Sequence, residues 1–291
     1  MSPEQLQQLL SGDPARAARW IAASAAEGLL EAQLRLGRML LEGVGVELDK
    51  KSAFFWFGRA AEAGSTDARN MVGRCFENGW GVPQDVTMAA CHFLMAARAG
   101  HDWAQYNLGH HYLDGTGVER DPIKALAWYR RAAAQGHARA LSMVGRCLEE
   151  GWGCAVDRAA AFDHYRRSAQ AGYFRGQYNY ASMLVQMRRI VAAGEWFGRA
   201  AAQAPLAVRR EIALTLLASE HDSLHPRGLA VLAACCEDGG ALDYYRYGRA
   251  LASGRGGVPD PVQSNQWLTK AAQLRFESAV PANRNHHAAA N

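Results

Sequence analysis

Basic side chains recur in this sequence at a constant interval. Arg38, Arg74, His110 and Arg146 are each 36 residues apart. Guanidinium groups form paired hydrogen bonds with carboxylates, so a row of such groups would suit an acidic ligand. A row of this kind requires a structural element that itself repeats every 36 residues.

The glycines repeat with the same interval. Three sets keep this spacing: Gly37, Gly73, Gly109 and Gly145; Gly43, Gly79, Gly115 and Gly151; and Gly64, Gly100, Gly136 and Gly172. In addition, the stretch MVGRCFENGWGV, which starts at Met71, returns 72 residues later as MVGRCLEEGWGC, so alternate units resemble each other most. A period of about 20 to 50 residues is typical of repeat architectures and argues against two copies of an active site.

Each unit is predicted to form two helices. In the first half, apolar residues recur at helical spacing before a Gly-x-Gly segment that closes the helix. The second half starts at an aspartate, a preferred N-cap residue, and these aspartates are Asp49, Asp85, Asp121, Asp157 and Asp260. The predicted helices span residues 30–43, 50–63, 66–78, 86–99, 102–114, 122–135, 138–150 and 158–171. The pattern predicts an all-α fold, an α/α superhelical solenoid of about seven helix-pair repeats.

The repeat register also predicts how the chain is organised. Residues 1–29 form an N-terminal half repeat or cap, and residues 30–273 form the solenoid. Within the solenoid, the repeats are regular to residue 172, degenerate over 173–240 and regular-like over 241–273. Residues 274–291 are expected to be the C-terminal end and a flexible tail. The stretch 182–195 has a shortened loop that lacks both glycines, and we expect it to be the weakest part of the scaffold.

Composition excludes several classes of protein. Hydrophobic residues make up 49% of the chain and charged residues 21%, which is typical of a folded globular protein. The net charge of +4 is spread without a long basic block, so nucleic acid is not an expected partner. No apolar window is long enough to span a membrane, and the start of the chain does not resemble a signal peptide, which predicts a cytoplasmic location. The six cysteines lack metal-ligand spacing and are interpreted as free thiols, and no cofactor is expected.

One segment carries a family resemblance. The string YNLGHHYLDGTGVERDPIKALAWYRRAAAQGHARA, which starts at Tyr106, closely resembles the consensus of the Sel-one-like repeats, a solenoid family related to the tetratricopeptide repeats. The resemblance implies a right-handed superhelix whose concave surface is lined by the first helices, and an adaptor that holds partner proteins.

A secreted branch of that family has a disulfide in every repeat and is associated with β-lactam binding or hydrolysis. At one of the two cysteine positions of that branch, this chain has Ala61, Ala97, Ala133 and Ser168. No cysteine follows at the distance that the branch requires. The resemblance therefore disfavours a β-lactam function.

The candidate binding residues share one face of the first helices. With the repeat glycine as position zero, position +1 lies opposite the buried stripe, and it holds Arg38, Arg74, His110, Arg146 and Arg249. Positions −3 and −2 lie beside it and supply Asn70, Tyr106, Asn107, Tyr178 and Asn179. This face is predicted to bind a protein or peptide with an acidic or carboxylate-bearing segment. The alternative is that each basic residue pairs within its own helix with position +5, which holds Glu42, Asn78, Asp114 and Glu150.

Two loop tryptophans are secondary candidates. Trp80 and Trp152 occupy equivalent places in the two units that resemble each other. They are interpreted either as exposed anchors for a partner, since tryptophan is enriched at binding hot spots, or as side chains that pack over the adjoining repeat interface.

The sequence favours a non-catalytic role. His110 and His111 are neighbours, so a helix turns them about 100° apart, and no metal-binding or nucleophile motif is present. The main hypothesis is an adaptor, a monomer or weak dimer, that is accessory to a neighbouring enzyme or signalling system. The alternatives are an enzyme or small-ligand binder and an envelope-associated assembly scaffold.

Overall fold

The computed structural model describes residues 13–279, with side chains described as far as residue 275. Within that range the chain is all helical and has no strand. The helices are α1 (Pro14–Ala26), α2 (Leu30–Glu42), α3 (Lys50–Glu62), α4 (Thr66–Asn78), α5 (Val86–Arg98), α6 (Asp102–Asp114), α7 (Pro122–Ala134), α8 (Ala138–Glu150), α9 (Arg158–Gln170), α10 (Phe174–Gln186), α11 (Ile190–Gln203), α12 (Leu206–Ala218), α13 (His225–Asp238), α14 (Ala241–Ser253) and α15 (Pro261–Ala279), with a 3-10 turn at Asp222–Leu224.

The helix boundaries follow from local chemistry at each end. Asp49 caps α3 by accepting hydrogen bonds from the backbone N–H groups of Lys51 and Ser52, at 3.0 and 3.1 Å. Such a cap satisfies N–H groups that have no partner within the helix. The first helices of the regular repeats end at glycines in the left-handed conformation, such as Gly43 with φ 71° and Gly115 with φ 75°. The predicted helices are confirmed to within one residue at each end.

Within a repeat, the two helices approach closely at the glycine of the first helix. A Cβ atom at Gly37, Gly73 or Gly109 would lie 2.5 to 2.8 Å from the ring of Phe57, Phe93 or Tyr129 respectively. These three rings are fully buried, and the alanines around them let the helices pack at short range. The glycine at position zero therefore leaves room for an aromatic side chain of the second helix.

The chain divides into two compact units, one ending at His164 and the other starting at Tyr165. In the first unit the pairs α2–α3, α4–α5 and α6–α7 follow one another with the 36-residue period. The second unit contains the degenerate repeats. There, residues 187–189 join α10 to α11, and Arg188 has a φ of 56°, a conformation that glycine adopts more readily.

The fold prediction is confirmed, since α1 is followed by seven consecutive helix pairs. Of the predicted terminal segments, residues 1–12 and 280–291 lie outside the described residues, and residues 274–279 belong to α15. All six cysteines are free thiols. None of the described helices combines the length and the hydropathy needed to cross a membrane.

Candidate functional site: a groove on the first helices

The first helices of three successive repeats line a groove of about 920 Å³ in the first unit. The side chains come mainly from α2, α4 and α6 and the loops beside them. Six of the predicted binding residues line this groove, namely Arg38, Asn70, Arg74, Trp80, Tyr106 and Asn107. Primary and secondary candidates thus meet at one surface.

Two asparagines lie side by side in the groove, one from each of two adjacent repeats. The Nδ2 group of Asn107 donates a hydrogen bond of 3.1 Å to Oδ1 of Asn70. Asn70 is only 7% exposed. An asparagine side chain has both donors and acceptors, and among the described residues Asn70 Nδ2 and Asn107 Oδ1 have no protein partner. The pair therefore offers one donor and one acceptor to a bound molecule.

Arginines lie over tryptophan rings on two sides of the groove. The guanidinium carbon of Arg74 is 4.9 Å from the ring centroid of Trp80, and that of Arg139 is 5.0 Å from the ring centroid of Trp103. Cation–π contacts of this kind hold both partners in place. Trp80 is half-buried and packs against the core cluster around Phe57, and its role as an anchor for a partner stays a prediction.

The groove also contains three carboxylates. Asp67 lies 3.3 Å from Nε2 of His101, while Nδ1 of His101 accepts a hydrogen bond from the N–H group of Ala104. Since Nδ1 is an acceptor, Nε2 carries the ring hydrogen and donates a hydrogen bond to Asp67. Glu77 lies 3.3 Å from Nε2 of His111. The third carboxylate, Glu42, makes no ion pair with Arg38 among the described residues.

The other predicted residues do not line the groove. His110 is half-buried, with its ring 4.6 Å from Tyr106 and 5.4 Å from Tyr129, and burial lowers the pKa of this histidine. Arg146 lies 4.9 Å from the ring centroid of Trp152, which repeats the Arg74–Trp80 contact. Three further candidates belong to the second unit: Tyr178, Asn179 and Arg249.

The intrahelical alternative is not observed for two of the arginines. No ion pair joins Arg38 to Glu42 or Arg146 to Glu150 in the part of the chain that the structure describes. At Arg74, the residue at position +5 is Asn78, whose Nδ2 donates to the Arg74 carbonyl oxygen at 2.9 Å. The guanidinium of Arg74 instead contacts a loop tryptophan.

Sequence reasoning missed several groove residues, among them Asp67, Trp103 and Arg139. All three occupy position −6 of their repeats, seven residues before position +1. Seven residues bring a helix back to within about 20° of the same direction. The missed residues therefore share the predicted face, and heptad spacing was the signal that would have found them.

No cluster of histidine, cysteine or carboxylate side chains suited to a metal ion occurs between residues 13 and 275.

Comparison with known proteins identifies the repeats. A family model described as Sel1 repeat matches residues 30–65, 66–101, 104–137, 138–173 and 241–276, which together make up more than half of the chain. Among curated proteins, none matches the chain.

Several solved structures share the fold. A Sel1 repeat protein from Oxalobacter formigenes is 25% identical, with a TM-score of 0.63, over 93% of this chain and 98% of that one. A protective antigen of uropathogenic Escherichia coli with an SLR fold is 24% identical, with a TM-score of 0.59, over 93% of this chain and 68% of that one. An immunity protein from Pseudomonas aeruginosa is 15% identical, with a TM-score of 0.50, over 86% of this chain and 84% of that one. The chain belongs to the Sel1 repeat family, whose members generally serve as protein-interaction scaffolds.

Proposed function

We propose that this protein is a non-catalytic scaffold that binds an extended, acidic segment of a partner protein in the groove. The observation that carries the proposal is that the Asn70–Asn107 pair lines the same groove, of about 920 Å³, as Arg38 and Arg74. The free donor and acceptor of the asparagines match the carbonyl and N–H groups of an extended peptide. The arginines supply the charge that a carboxylate requires.

The charges in the groove favour an acidic ligand. Four cationic side chains line it, Arg38, Lys50, Arg74 and Arg139, against the three carboxylates of Glu42, Asp67 and Glu77. One of these carboxylates, Asp67, already accepts a hydrogen bond from His101, and Glu77 lies 3.3 Å from Nε2 of His111. Arg38 and Arg74 have no carboxylate partner among the described residues, so an incoming carboxylate does not have to displace one.

Aromatic side chains supply the remaining contact area. Trp103 is 43% exposed and lies near Tyr106, with ring centroids 6.2 Å apart. Rigid amphipathic rings bury large areas at low entropic cost and are enriched at binding hot spots. We infer that the partner segment carries apolar residues beside its acidic ones. A partner enzyme or signalling protein would suit the accessory role expected from the sequence.

Selection from a random peptide library displayed on phage tests this proposal. The immobilised full chain is expected to enrich peptides rich in Asp and Glu. The double variant Arg38→Ala/Arg74→Ala is expected to lose this enrichment, and its affinity for a selected peptide should fall at least about tenfold, because it removes two sources of charge-assisted hydrogen bonds. Affinity is measured by fluorescence anisotropy with the labelled peptide.

The matched control is Arg35→Ala/Arg98→Ala, which removes two exposed arginines that do not line the groove. Because the net charge change is the same, the control should bind like the wild type. Equal loss of affinity in both double variants would show that only the overall charge matters, and the groove proposal would then be wrong.

A further inference from the structure

A second cavity lies in the other compact unit, on its second helices. Helices α11 and α13, and the first turn of α12, line an open cavity of about 550 Å³. Most of its lining is small and apolar, with Ala201, Ala202, Pro226, Ala230, Val231 and Ala234. This cavity shares no residue with the groove and lies in the degenerate repeats that the proposed function does not use.

Two guanidinium groups border this apolar cavity. Nη2 of Arg209 donates a hydrogen bond of 2.6 Å to Asp238, and Nε of Arg209 is buried and inaccessible, so this guanidinium offers the cavity no free donor. Arg227 makes no ion pair in the described part of the chain. Arg227 thus leaves one unpaired positive charge at the edge of the cavity.

A glycine makes room for one of these arginines. A Cβ atom at Gly198 would lie 2.4 Å from Nη1 of Arg227, so any larger residue there would displace the guanidinium. Gly58 occupies the same place in the WFGRAA sequence of an earlier repeat, and a Cβ atom there would meet nothing within 4 Å. The arrangement of glycine and arginine therefore distinguishes the degenerate repeat from the earlier one.

We propose that this cavity binds a small amphiphilic carboxylate with a straight aliphatic chain of about ten carbons. Its volume of about 550 Å³ lies within the range of small-ligand sites. The alanine and valine side chains contact the hydrocarbon, whose transfer from water is favourable. The carboxylate accepts hydrogen bonds from the exposed guanidinium of Arg227. An uncharged molecule of the same length would offer Arg227 no opposite charge.

Isothermal titration of the full chain with sodium decanoate, below its micelle concentration, tests the proposal. We expect one saturable site per chain. Arg227→Ala should weaken binding at least about tenfold, because it removes a charge-assisted hydrogen bond. Ala230→Leu should also weaken binding, because it fills the cavity. Both side chains are exposed, so both variants should fold, which circular dichroism verifies.

The control is Arg199→Ala, since Arg199 is on α11 but lies over the ring of Trp196, outside the cavity lining. This variant should bind decanoate like the wild type, and 1-decanol should bind the wild type at least about tenfold more weakly than decanoate. The proposal is overturned if decanoate shows no saturable binding, if Arg227→Ala and Ala230→Leu leave its affinity unchanged, or if 1-decanol binds equally well.

Discussion

Replacing Asp243 with alanine is expected to lower the free energy of unfolding by about 1 to 3 kcal/mol, the usual cost of leaving hydrogen-bond donors without an acceptor. The Asp243 side chain is completely buried, and its two oxygens accept from Nε and Nη2 of Arg210 at 2.6 and 2.5 Å. The N–H group of Gly240 also donates to it, at 3.0 Å. Burial alone would raise the pKa of Asp243, but these hydrogen bonds hold it below the usual value. The variant leaves the Arg210 guanidinium without its carboxylate, and urea unfolding measures the loss.

The matched control is Asp238→Ala, which breaks a second Arg–Asp pair in this unit, between Arg209 and Asp238. Asp238 is 61% exposed, and an exposed ion pair contributes about 0 to 1 kcal/mol. If both variants lowered stability by the same small amount, the buried pair would not link α12 to α14 in the way that the structure indicates.

Gly109→Ala is expected to lower the free energy of unfolding by about 1 to 3 kcal/mol, the usual cost of overpacking a core. Alanine is intrinsically a better helix former than glycine by about 1 kcal/mol. Helix propensity alone therefore predicts that the variant is more stable than the wild type. A Cβ atom at this position would lie 2.5 Å from Cε1 of Tyr129, whose ring is completely buried. The helices α6 and α7 would have to separate, and thermal and urea unfolding would both report the loss.

Gly58→Ala is the control for this substitution. Gly58 also lies inside a helix, α3, but a Cβ atom there would meet nothing within 4 Å. This variant should gain about 0.5 to 1 kcal/mol from helix propensity. If Gly109→Ala were stabilising as well, close helix packing would not be the reason for the repeat glycine.

The helices could be predicted from the sequence because their signals are local. The cap aspartates and the left-handed glycines act within one turn of each helix end, and they recur in every regular repeat. The linkage at residues 187–189 was less predictable. There the chain turns at Arg188 without a glycine, and the N–H groups of Arg188 and Arg189 each donate a backbone hydrogen bond of 2.9 Å to the end of α10.

The candidate site was predictable only in part. Helical periodicity places Arg38, Asn70 and Asn107 on one face, and the structure brings them to one groove. Periodicity does not show that the loop residue Trp80 folds back onto Arg74, because that contact depends on the path of the loop. It also does not show that His110 packs against Tyr129, since that contact depends on the second helix of the repeat.

The measurement that tests the account most directly is a charge exchange between the groove and its ligand. The variant Arg38→Glu/Arg74→Glu would be titrated with an acidic peptide selected by the wild type, and with the same peptide in which lysines replace the acidic residues. Complementary charges set the partner preference. The account therefore predicts that the affinity of the variant for the acidic peptide is at least about tenfold lower than that of the wild type. It also predicts that the variant binds the lysine peptide more tightly than the wild type does. Unchanged affinity of the variant for the acidic peptide would contradict it.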